Sequence, residues 1–253
     1  MRIRIATWNM GHWQHSEKAK QAWEYLDKTV APDIALVQEA VPISEQMGFI
    51  CLNTTNQGSL IGNERTVWQE IDKKRNWGSG VLTKSFPLRE VHFQNSYAGA
   101  VIAAEIMLPS RTILTAISLY GMIDQYGYST TTLHRIFSDI NPLLRGKMGE
   151  RKIILGGDFN ASLQWDSVQQ GGSSHKIFFE RVKDFGLVDC LERFHPGQVQ
   201  TLRHPKSEVL WQNDYIFAST ELIGSLISCD VVDEPVVHEL SDHNPVIAVF
   251  DIN

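Results

Sequence analysis

The sequence has few cysteines and no pattern that would use them. Its 253 residues include three, Cys51, Cys190 and Cys229, which are far apart and lack the CxxC spacing of a thiolate metal site. An odd number of dispersed cysteines also argues against a disulfide framework. We therefore expect reduced, buried cysteines.

The chain also lacks a long apolar segment. No run of about 18 apolar residues occurs, so no membrane span is predicted. The first residues, Met1 to Trp8, alternate between polar and apolar and contain no signal-peptide core. From these two absences we predict a cytoplasmic protein. We also favour a monomeric state.

Basic residues are in the minority. The 23 Lys and Arg residues against 29 Asp and Glu residues give a net charge of -6, which argues against tight nonspecific binding of a polyanion over the whole surface. A local basic groove stays compatible with this balance, as does an acidic site that needs a cation before it meets phosphate. With 43% hydrophobic and 21% charged residues, the composition excludes a disordered or fibrous chain.

Short apolar runs rich in β-branched residues recur along the whole chain. They predict strands at 3–8, 34–37, 80–82, 100–107, 112–119, 152–155, 209–217, 226–232 and 246–250. Helical periodicity predicts helices at 16–30, 131–144 and 174–185. Strands thus outnumber helices by several to one, which favours two sheets packed face to face with helices outside. No repeat or linker interrupts the pattern, so we expect one domain over residues 1–253.

Polar and acidic residues stand at or near the ends of several of these apolar runs. They are Asn9, Glu39, Asp158 with Asn160, and Asp242 with His243, while Asp214 lies inside the run 209–217. One such residue alone is more often a turn or cap residue. Five places in one chain predict a shared rim where the side chains meet.

The residue types on this rim suit a hard cation and a phosphate. Glu39 and Asp242 offer carboxylate oxygens and Asn9 a carbonyl oxygen, the ligands that Mg²⁺ or Mn²⁺ prefers. Asp158 follows two glycines, so it can approach a ligand closely, and Asn160 would lie on the same side of an extended chain.

Asp214 and His243 are complementary in charge. The Asp214 carboxylate could fix the tautomer of the His243 imidazole, as a carboxylate orients a catalytic histidine. The alternative for this pair is a core ion pair without a catalytic role.

Taken in order, these motifs resemble those of a known superfamily. Thr7-Trp8-Asn9, Gln38-Glu39, Gly157-Asp158-Phe159-Asn160, Asp214-Tyr215-Ile216 and Ser241-Asp242-His243 resemble the signatures of the endonuclease/exonuclease/phosphatase superfamily, which includes deoxyribonuclease I. The resemblance spans nearly the whole chain. It implies an α/β fold, a four-layer α/β sandwich with two packed mixed β-sheets flanked by helices, and Mg²⁺- or Mn²⁺-dependent hydrolysis of a phosphoester.

The resemblance also implies roles for individual residues. Glu39 would hold the metal, helped by Asn9 and Asp242. These three residues supply oxygen ligands only.

Five further residues would serve the reaction itself. By the same resemblance, Asp158 would orient or deprotonate the attacking water, and Asn160 would position the phosphate and the nucleophile. His243, paired with Asp214, would stabilise the charged transition state. Tyr120, at the end of the strand before the Gly157-Asp158 strand, would contact the phosphate.

Departures from the superfamily patterns bear on the substrate. Gly11 stands where apurinic/apyrimidinic endonucleases usually carry an acidic or amide residue, and Trp211-Gln212-Asn213-Asp214 differs from the inositol-polyphosphate 5-phosphatase motif. We therefore predict a Mg²⁺-dependent phosphodiesterase that hydrolyses nucleic acid, most simply an endonuclease. The alternatives are a phosphoesterase for a small molecule or lipid head group, and a non-catalytic binding module on the same fold.

Weaker signals concern contacts to the substrate. Lys73-Lys74-Arg75-Asn76-Trp77 and Arg203-His204-Pro205-Lys206 combine positive charge with an aromatic residue, as a loop that grips a nucleic-acid backbone would, or as a solvated turn would. Trp165 could stack on a base or pack on its own domain. His12 and His15 are interpreted as surface or rim residues.

Overall fold

The structure of the protein, a computed structural model, describes residues 1–12, 16–41, 48–55, 77–97, 99–145, 152–168 and 172–252. Twelve strands lie within these ranges. They are β1 (Arg2–Asn9), β2 (Ile34–Ala40), β3 (Ile50–Thr55), β4 (Gly78–Thr83), β5 (Leu88–Glu90), β6 (Val101–Met107), β7 (Ile113–Tyr120), β8 (Ile153–Asp158), β9 (Leu187–Asp189), β10 (Asp214–Ser219), β11 (Leu226–Val231) and β12 (Val246–Asp251).

Seven α-helices occur in the same ranges. They are α1 (Ala19–Tyr25), α2 (Thr130–Asp139), α3 (Asn141–Leu144), α4 (Leu163–Val168), α5 (Ser174–Asp184), α6 (Thr220–Ile223) and α7 (Pro235–Leu240). A 3₁₀ turn at Ser16–Lys18 precedes α1, and a π-helical turn at Leu26–Val30 follows it and ends at Ala31, whose backbone is left-handed.

The strands form two mixed sheets of six. The first sheet has the order β11-β12-β1-β2-β4-β3, and the second has the order β5-β6-β7-β8-β10-β9. Each sheet contains one parallel pair near its centre, β1 with β2 and β7 with β8, and the other neighbours are antiparallel. The carboxyl ends of each parallel pair therefore lie at one edge of its sheet.

The two sheets pack face to face, and helices cover their outer faces. Apolar residues of both sheets, such as Leu36 on β2 and Ile154 on β8, share one buried cluster between the sheets. On the outer face of the first sheet, Trp23 of α1 packs with Val37. On the outer face of the second, Phe137 and Phe178 of α2 and α5 pack over β7, β8 and β10. The predicted four-layer sandwich of two packed mixed sheets flanked by helices is confirmed.

Several sequence expectations about single elements were wrong. Strands do not outnumber helices by several to one, since the described residues hold twelve strands and seven α-helices. The run 209–217 is a strand only from Asp214, because the N–H groups of Asn213 and Asp214 both donate to the Thr201 hydroxyl oxygen (2.9 Å each).

No helix within the described ranges combines the length and apolar character that crossing a bilayer requires.

Glycine allows the central strands of the second sheet to approach closely. A Cβ added to Gly157 would lie 1.8 Å from the carbonyl oxygen of Leu119, its partner on β7. One residue beyond β7, a Cβ on Gly121 would lie 2.0 Å from the carbonyl oxygen of Phe159. Both neighbours are backbone atoms, one within β7 and one directly after β8, so neither can move without disturbing the sheet.

The first prediction concerns this close approach. Gly157→Ala should lower the free energy of unfolding by about 3 kcal/mol, because the added methyl group must displace strand backbone. Gly197→Ala is the matched control, since nothing lies within 4 Å of its added Cβ. Urea unfolding of the two variants measures the difference, and equal midpoints would contradict the packing described for β7 and β8.

Candidate active site

The residues of the predicted rim lie at one edge of the two sheets. Asn9 ends β1, Glu39 lies near the end of β2, Tyr120 ends β7, Asp158 ends β8, Asp214 begins β10, and Asp242 with His243 follow α7. Tyr120 and Asp214 are the direct strand partners of Asp158 on its two sides. The parallel pairs thus explain why residues distant in sequence end at the same place.

Asn9 joins the two sheets at the site. Its side-chain nitrogen donates to Asp158 Oδ2 (2.9 Å), and the same amide faces the Glu39 carboxylate. The Gly11 N–H donates to Asn9 Oδ1 (3.0 Å), which fixes the orientation of the amide because an N–H needs an acceptor. Asn9 therefore presents a donor to the carboxylates. Its oxygen accepts the Gly11 N–H and keeps a second lone pair, so the role of Asn9 as a metal ligand stays a prediction.

Glu39 is buried in a strained segment of β2. Its φ is 48°, in the left-handed region, and the β2–β4 register shifts between Val37 and Ala40. A bulge of this kind re-aims a side chain at the end of a strand. Burial raises the pKa of Glu39 to about 7, although Tyr120, His243 and Asn9 all favour the charged form. The surrounding protein therefore does not compensate the Glu39 charge fully.

The His243 ring lies between two carboxylates. Its Nδ1 is 2.8 Å from Asp214 Oδ2, and its Nε2 is 3.8 Å from Asp158 Oδ2. Burial alone would lower the pKa of His243, but the charges of Asp214 and Asp158 outweigh burial and hold that pKa well above its usual value. The ring is therefore favoured as an imidazolium that donates to Asp214 through Nδ1.

Four polar contacts hold the loop that carries His243. The Trp8 indole N–H donates to the His243 carbonyl oxygen (3.0 Å), and the Ser241 hydroxyl donates to the Asn9 carbonyl oxygen (2.8 Å). The His243 N–H donates to the Ser241 hydroxyl oxygen (3.1 Å). Arg203 donates from its guanidinium to the Ser241 carbonyl oxygen. Sequence reasoning found Trp8 and Ser241 only as parts of motifs and did not predict their structural roles.

Asn160 and Tyr120 complete the site. Asn160 has a φ of 47°, so the chain after Asp158 turns rather than continuing in the extended conformation that the sequence suggested. The Asn160 N–H donates to Asp158 Oδ1 (2.8 Å), and its side-chain nitrogen donates to the Gly121 carbonyl oxygen (3.0 Å). Burial, with the charges of Glu39 and Asp158, raises the pKa of Tyr120 well above its usual value. Its hydroxyl therefore stays protonated and able to donate.

The charge balance of the site fits a hard divalent cation. Glu39, Asp158, Asp214 and Asp242 surround a single imidazole, and no Lys or Arg within the described ranges is at ion-pair distance from any of them. The Arg203 guanidinium interacts with Asp214 and Asp242 only from a greater distance. Asp214 Oδ1 is buried and has no hydrogen-bond partner in the described part of the chain. Uncompensated carboxylate oxygens of this kind match the ligand chemistry of Mg²⁺ or Mn²⁺.

Two sets of residues could be considered as metal ligands. Asp158, Asp214 and His243 have ligand atoms within 4.8 Å of one another. Both nitrogens of His243 face carboxylates, however, so this set is better explained as an ion-pair chain. Glu39 and the half-buried Asp242, which is close enough to raise the pKa of Glu39, form the more suitable pair of oxygen ligands.

Other predicted contacts are placed differently from expectation. Trp77 is 4% exposed and packs edge-on against Tyr120 with ring centroids 5.8 Å apart, so it is a core residue. His12 is 1% exposed and its Nδ1 accepts the Val41 N–H (3.0 Å), which corrects the surface interpretation. Arg203 is engaged with the His243 loop, whereas His204 and Lys206 are exposed. Lys73, Lys74, Arg75, Asn76 and His15 lie outside the described residues.

Comparison with known proteins identifies the fold. No family model matches the chain, and no curated protein matches its sequence. Among solved structures, an AP endonuclease from Archaeoglobus fulgidus has a TM-score of 0.70 at 17% identity, covering 99% of this chain and 100% of that one. A 3′ phosphatase from Neisseria bound to product DNA has a TM-score of 0.68 at 20% identity, covering 99% and 100%. An AP endonuclease from Leishmania major has a TM-score of 0.69 at 16% identity, covering 100% and 88%.

These similarities establish the fold. A protein described as an endonuclease/exonuclease/phosphatase, from Beutenbergia cavernae, also matches, with a TM-score of 0.66 at 14% identity over 100% of this chain and 72% of that one. The chain has the deoxyribonuclease I-like fold of the endonuclease/exonuclease/phosphatase proteins, as the motifs predicted.

The second prediction concerns metal binding. Mg²⁺ should raise the melting temperature of the protein, and Glu39→Gln should weaken the binding at least about 10-fold because it removes a charged oxygen ligand. The metal-free variant should be as stable as the wild type, since the neutral amide avoids burial of an ion.

The control and the readout separate this effect from general damage. Glu180→Gln, on the exposed side of α5, should bind Mg²⁺ as the wild type does. Thermal unfolding across a Mg²⁺ titration measures both quantities. An unchanged titration for Glu39→Gln would exclude Glu39 as a ligand.

Proposed function

We propose that the protein is a metal-dependent phosphodiesterase that hydrolyses nucleic acid, and that it acts as an endonuclease. The observation that carries the proposal is the buried His243 ring held between Asp158 and Asp214, next to the uncompensated carboxylate of Glu39. Solved structures with the same fold include AP endonucleases and a 3′ phosphatase bound to product DNA, which supports a nucleic-acid substrate.

The metal belongs to the proposal. Glu39 and Asp242 would hold Mg²⁺ or Mn²⁺. When bound, the cation supplies positive charge to the phosphate and so favours the transition state.

Asp158 is suited to accept the proton of the attacking water. Its Oδ2 accepts from Asn9 and its Oδ1 from the Asn160 N–H, so the carboxylate has a fixed orientation. Burial raises the pKa of Asp158 above its usual value, although His243 opposes this shift, and a raised pKa makes the carboxylate a better base. The proton would leave water for Asp158 as the new bond to phosphorus forms. The P–O bond to the departing sugar oxygen would break in the same displacement, and that oxygen would take a proton from solvent water.

His243, Asn160 and Tyr120 would stabilise the phosphate. The His243 imidazolium, oriented by Asp214, places a positive charge where negative charge develops on the phosphate oxygens. The Asn160 amide would add a neutral donor, and the Tyr120 hydroxyl would add another by turning from the Glu39 carboxylate to the phosphate. Because the His243 ring and the Asn160 amide are fixed before the substrate arrives, little reorganisation accompanies the reaction.

The remaining sequence predictions are kept as part of the proposal. We propose a single domain over residues 1–253, since both sheets contribute to one shared cluster of buried residues. The monomeric state and the cytoplasmic location stay predictions from the sequence.

The third prediction concerns cofactor and thiol chemistry. Relaxation of a closed circular plasmid should require Mg²⁺ or Mn²⁺ and stop in excess chelator, whereas treatment with iodoacetamide should leave the rate unchanged. Cys190 and Cys229 are buried, and burial raises the pKa of both thiols, so neither supplies a reactive thiolate. Full turnover in chelator would contradict the proposed reaction, and cleavage confined to linear DNA ends would contradict endonuclease action.

The fourth prediction separates the roles of His243, Asp214 and Glu39. His243→Ala should lower kcat by about 10³-fold or more, and Asp214→Asn should give an intermediate rate because the imidazole stays but its orientation and charge are less well fixed. Both variants should bind Mg²⁺ nearly as well as the wild type. Glu39→Gln should instead be partly rescued by excess Mg²⁺.

The rate measured against Mg²⁺ concentration distinguishes these outcomes. If excess metal also rescued His243→Ala, His243 would belong to the metal site, and its assignment to the phosphate would be wrong.

A further inference from the structure

A cavity of about 340 Å³ adjoins the candidate active site. It begins at Asn160, which is hydrogen-bonded to Asp158, and extends to Trp165 on α4 and to Trp211. Its lining also includes Ile123, Tyr128, Leu202 and Asn213. The volume is near the lower end of about 300–1,000 Å³ for ligand pockets, so it suits one ring system rather than a base pair.

Two indole rings form a fixed wall of this cavity. Trp165 and Trp211 have ring centroids 5.2 Å apart and planes inclined by 55°. The Trp211 N–H donates to the Ser207 hydroxyl oxygen (3.0 Å), which holds that ring in place. Tyr128, 46% exposed, lies at the rim. The lining residues that the structure describes include His175 and His204 but no Asp, Glu, Lys or Arg. The cavity therefore has no permanently charged side chain and favours a neutral aromatic ligand.

Asn213 supplies a polar side chain to the lining of the cavity. Its residue is 8% exposed, and its backbone is fully used: the N–H donates to the Thr201 hydroxyl oxygen (2.9 Å) and the carbonyl oxygen accepts the Phe159 N–H (2.8 Å). Its carboxamide makes no hydrogen bond with any residue in the described ranges. The carboxamide atoms are not among the buried polar atoms that lack a partner, so they are open to solvent and free to pair with the edge of a ligand.

The carboxamide chemistry identifies the kind of ligand. It offers one acceptor and two donors in a plane, and the edges of nucleobases carry donors and acceptors in the same planar arrangement. The aromatic faces of Trp165 and Trp211 lie beside the planar carboxamide of Asn213. This combination matches a nucleobase better than a lipid head group, which has no planar edge to pair.

We propose that this cavity binds an unpaired nucleobase of the substrate strand, next to the phosphate that is cleaved. The inference rests on the proposed function and narrows it to nucleic acid with an unpaired nucleotide at the cleavage site. A base inside a duplex has both faces stacked and its edge paired, so it would first have to leave the helix. Trp165 and Asn213 are then specificity-determining residues, while Asp158 and His243 perform the reaction on any phosphodiester.

The test compares the cleavage of two substrates that differ only in whether bases are present beside the cleavable bond. Two single-stranded DNA oligonucleotides carry one cleavable phosphodiester among methylphosphonate linkages. In one the cleavable bond is flanked by thymidines, and in the other by tetrahydrofuran residues that have no base. The wild type in Mg²⁺ should prefer the first by about 10- to 100-fold in kcat/KM, the size of a typical base-stacking effect.

Two variants and one control assign the preference to the cavity. Trp165→Ala should lose most of the base preference while its rate on the baseless oligonucleotide stays within about 3-fold of the wild type. Asn213→Ala keeps the backbone hydrogen bonds and should lose part of the preference. Phe194→Ala removes an aromatic residue that is 45% exposed and does not line the cavity, so it should keep the full preference.

The outcomes distinguish this inference from the proposed function. A wild type that cleaves both oligonucleotides equally, or prefers the baseless one, overturns the inference alone. A full base preference in both cavity variants also overturns the inference. If Trp165→Ala fails to fold, the base preference of Asn213→Ala alone decides whether the inference stands. A wild type that cleaves neither oligonucleotide, nor closed circular plasmid, overturns the proposed function and this inference together.

Discussion

Burial of negative charge at one edge of two sheets is the constraint on which the site depends. Glu39, Asp158 and Asp214 are each 5% exposed or less, and each would be costly to bury as an isolated ion. The protein offsets part of that cost with one imidazolium and with donors from Asn9, Asn160 and Tyr120. Under the proposed function, a bound cation offsets the remainder. The site is thereby stable enough to fold and still electrostatically incomplete, which is the condition a hydrolase needs if a metal and a phosphate are to bind together.

The scaffold meets this constraint with main-chain geometry. The two parallel strand pairs bring the chain ends of β1, β2, β7 and β8 to the same edge. The left-handed backbone at Glu39 and Asn160 turns these side chains at the point where each strand ends. Glycine at position 157 lets β7 and β8 approach closely enough for Tyr120 and Asp158 to lie side by side. Backbone strain and the close approach of strands are thus concentrated beside the residues of the proposed reaction. An irregular backbone is useful there because it positions the side chains.

The sequence predicted the four-layer architecture because apolar runs and their polar ends are local signals, and the ordered motifs added the fold. It did not predict short strands such as β5 and β9, which have too few residues for a period to be seen. It misplaced His12 and Trp77, because burial of a polar aromatic residue depends on partners far along the chain. It did not predict that the Asn9 side chain donates to Asp158, since amide orientation is decided by a neighbour, here the Gly11 N–H, that no motif specifies. The cavity beside Asn160 lies between α4 and the segment before β10, and no motif in the sequence indicates it.

The pairing of β1 with β12 also has a consequence for biosynthesis. These strands are neighbours in the middle of the first sheet, with Arg2 opposite Asp251. During translation β1 leaves the ribosome well before its antiparallel partner, because β2 to β11 are synthesised between them. Until then one edge of β1 is unpaired and open to association with other chains. The same late event brings Asn9 and His243 to the same edge, so an incomplete chain lacks the assembled site, and hydrolytic competence should arise together with closure of the first sheet.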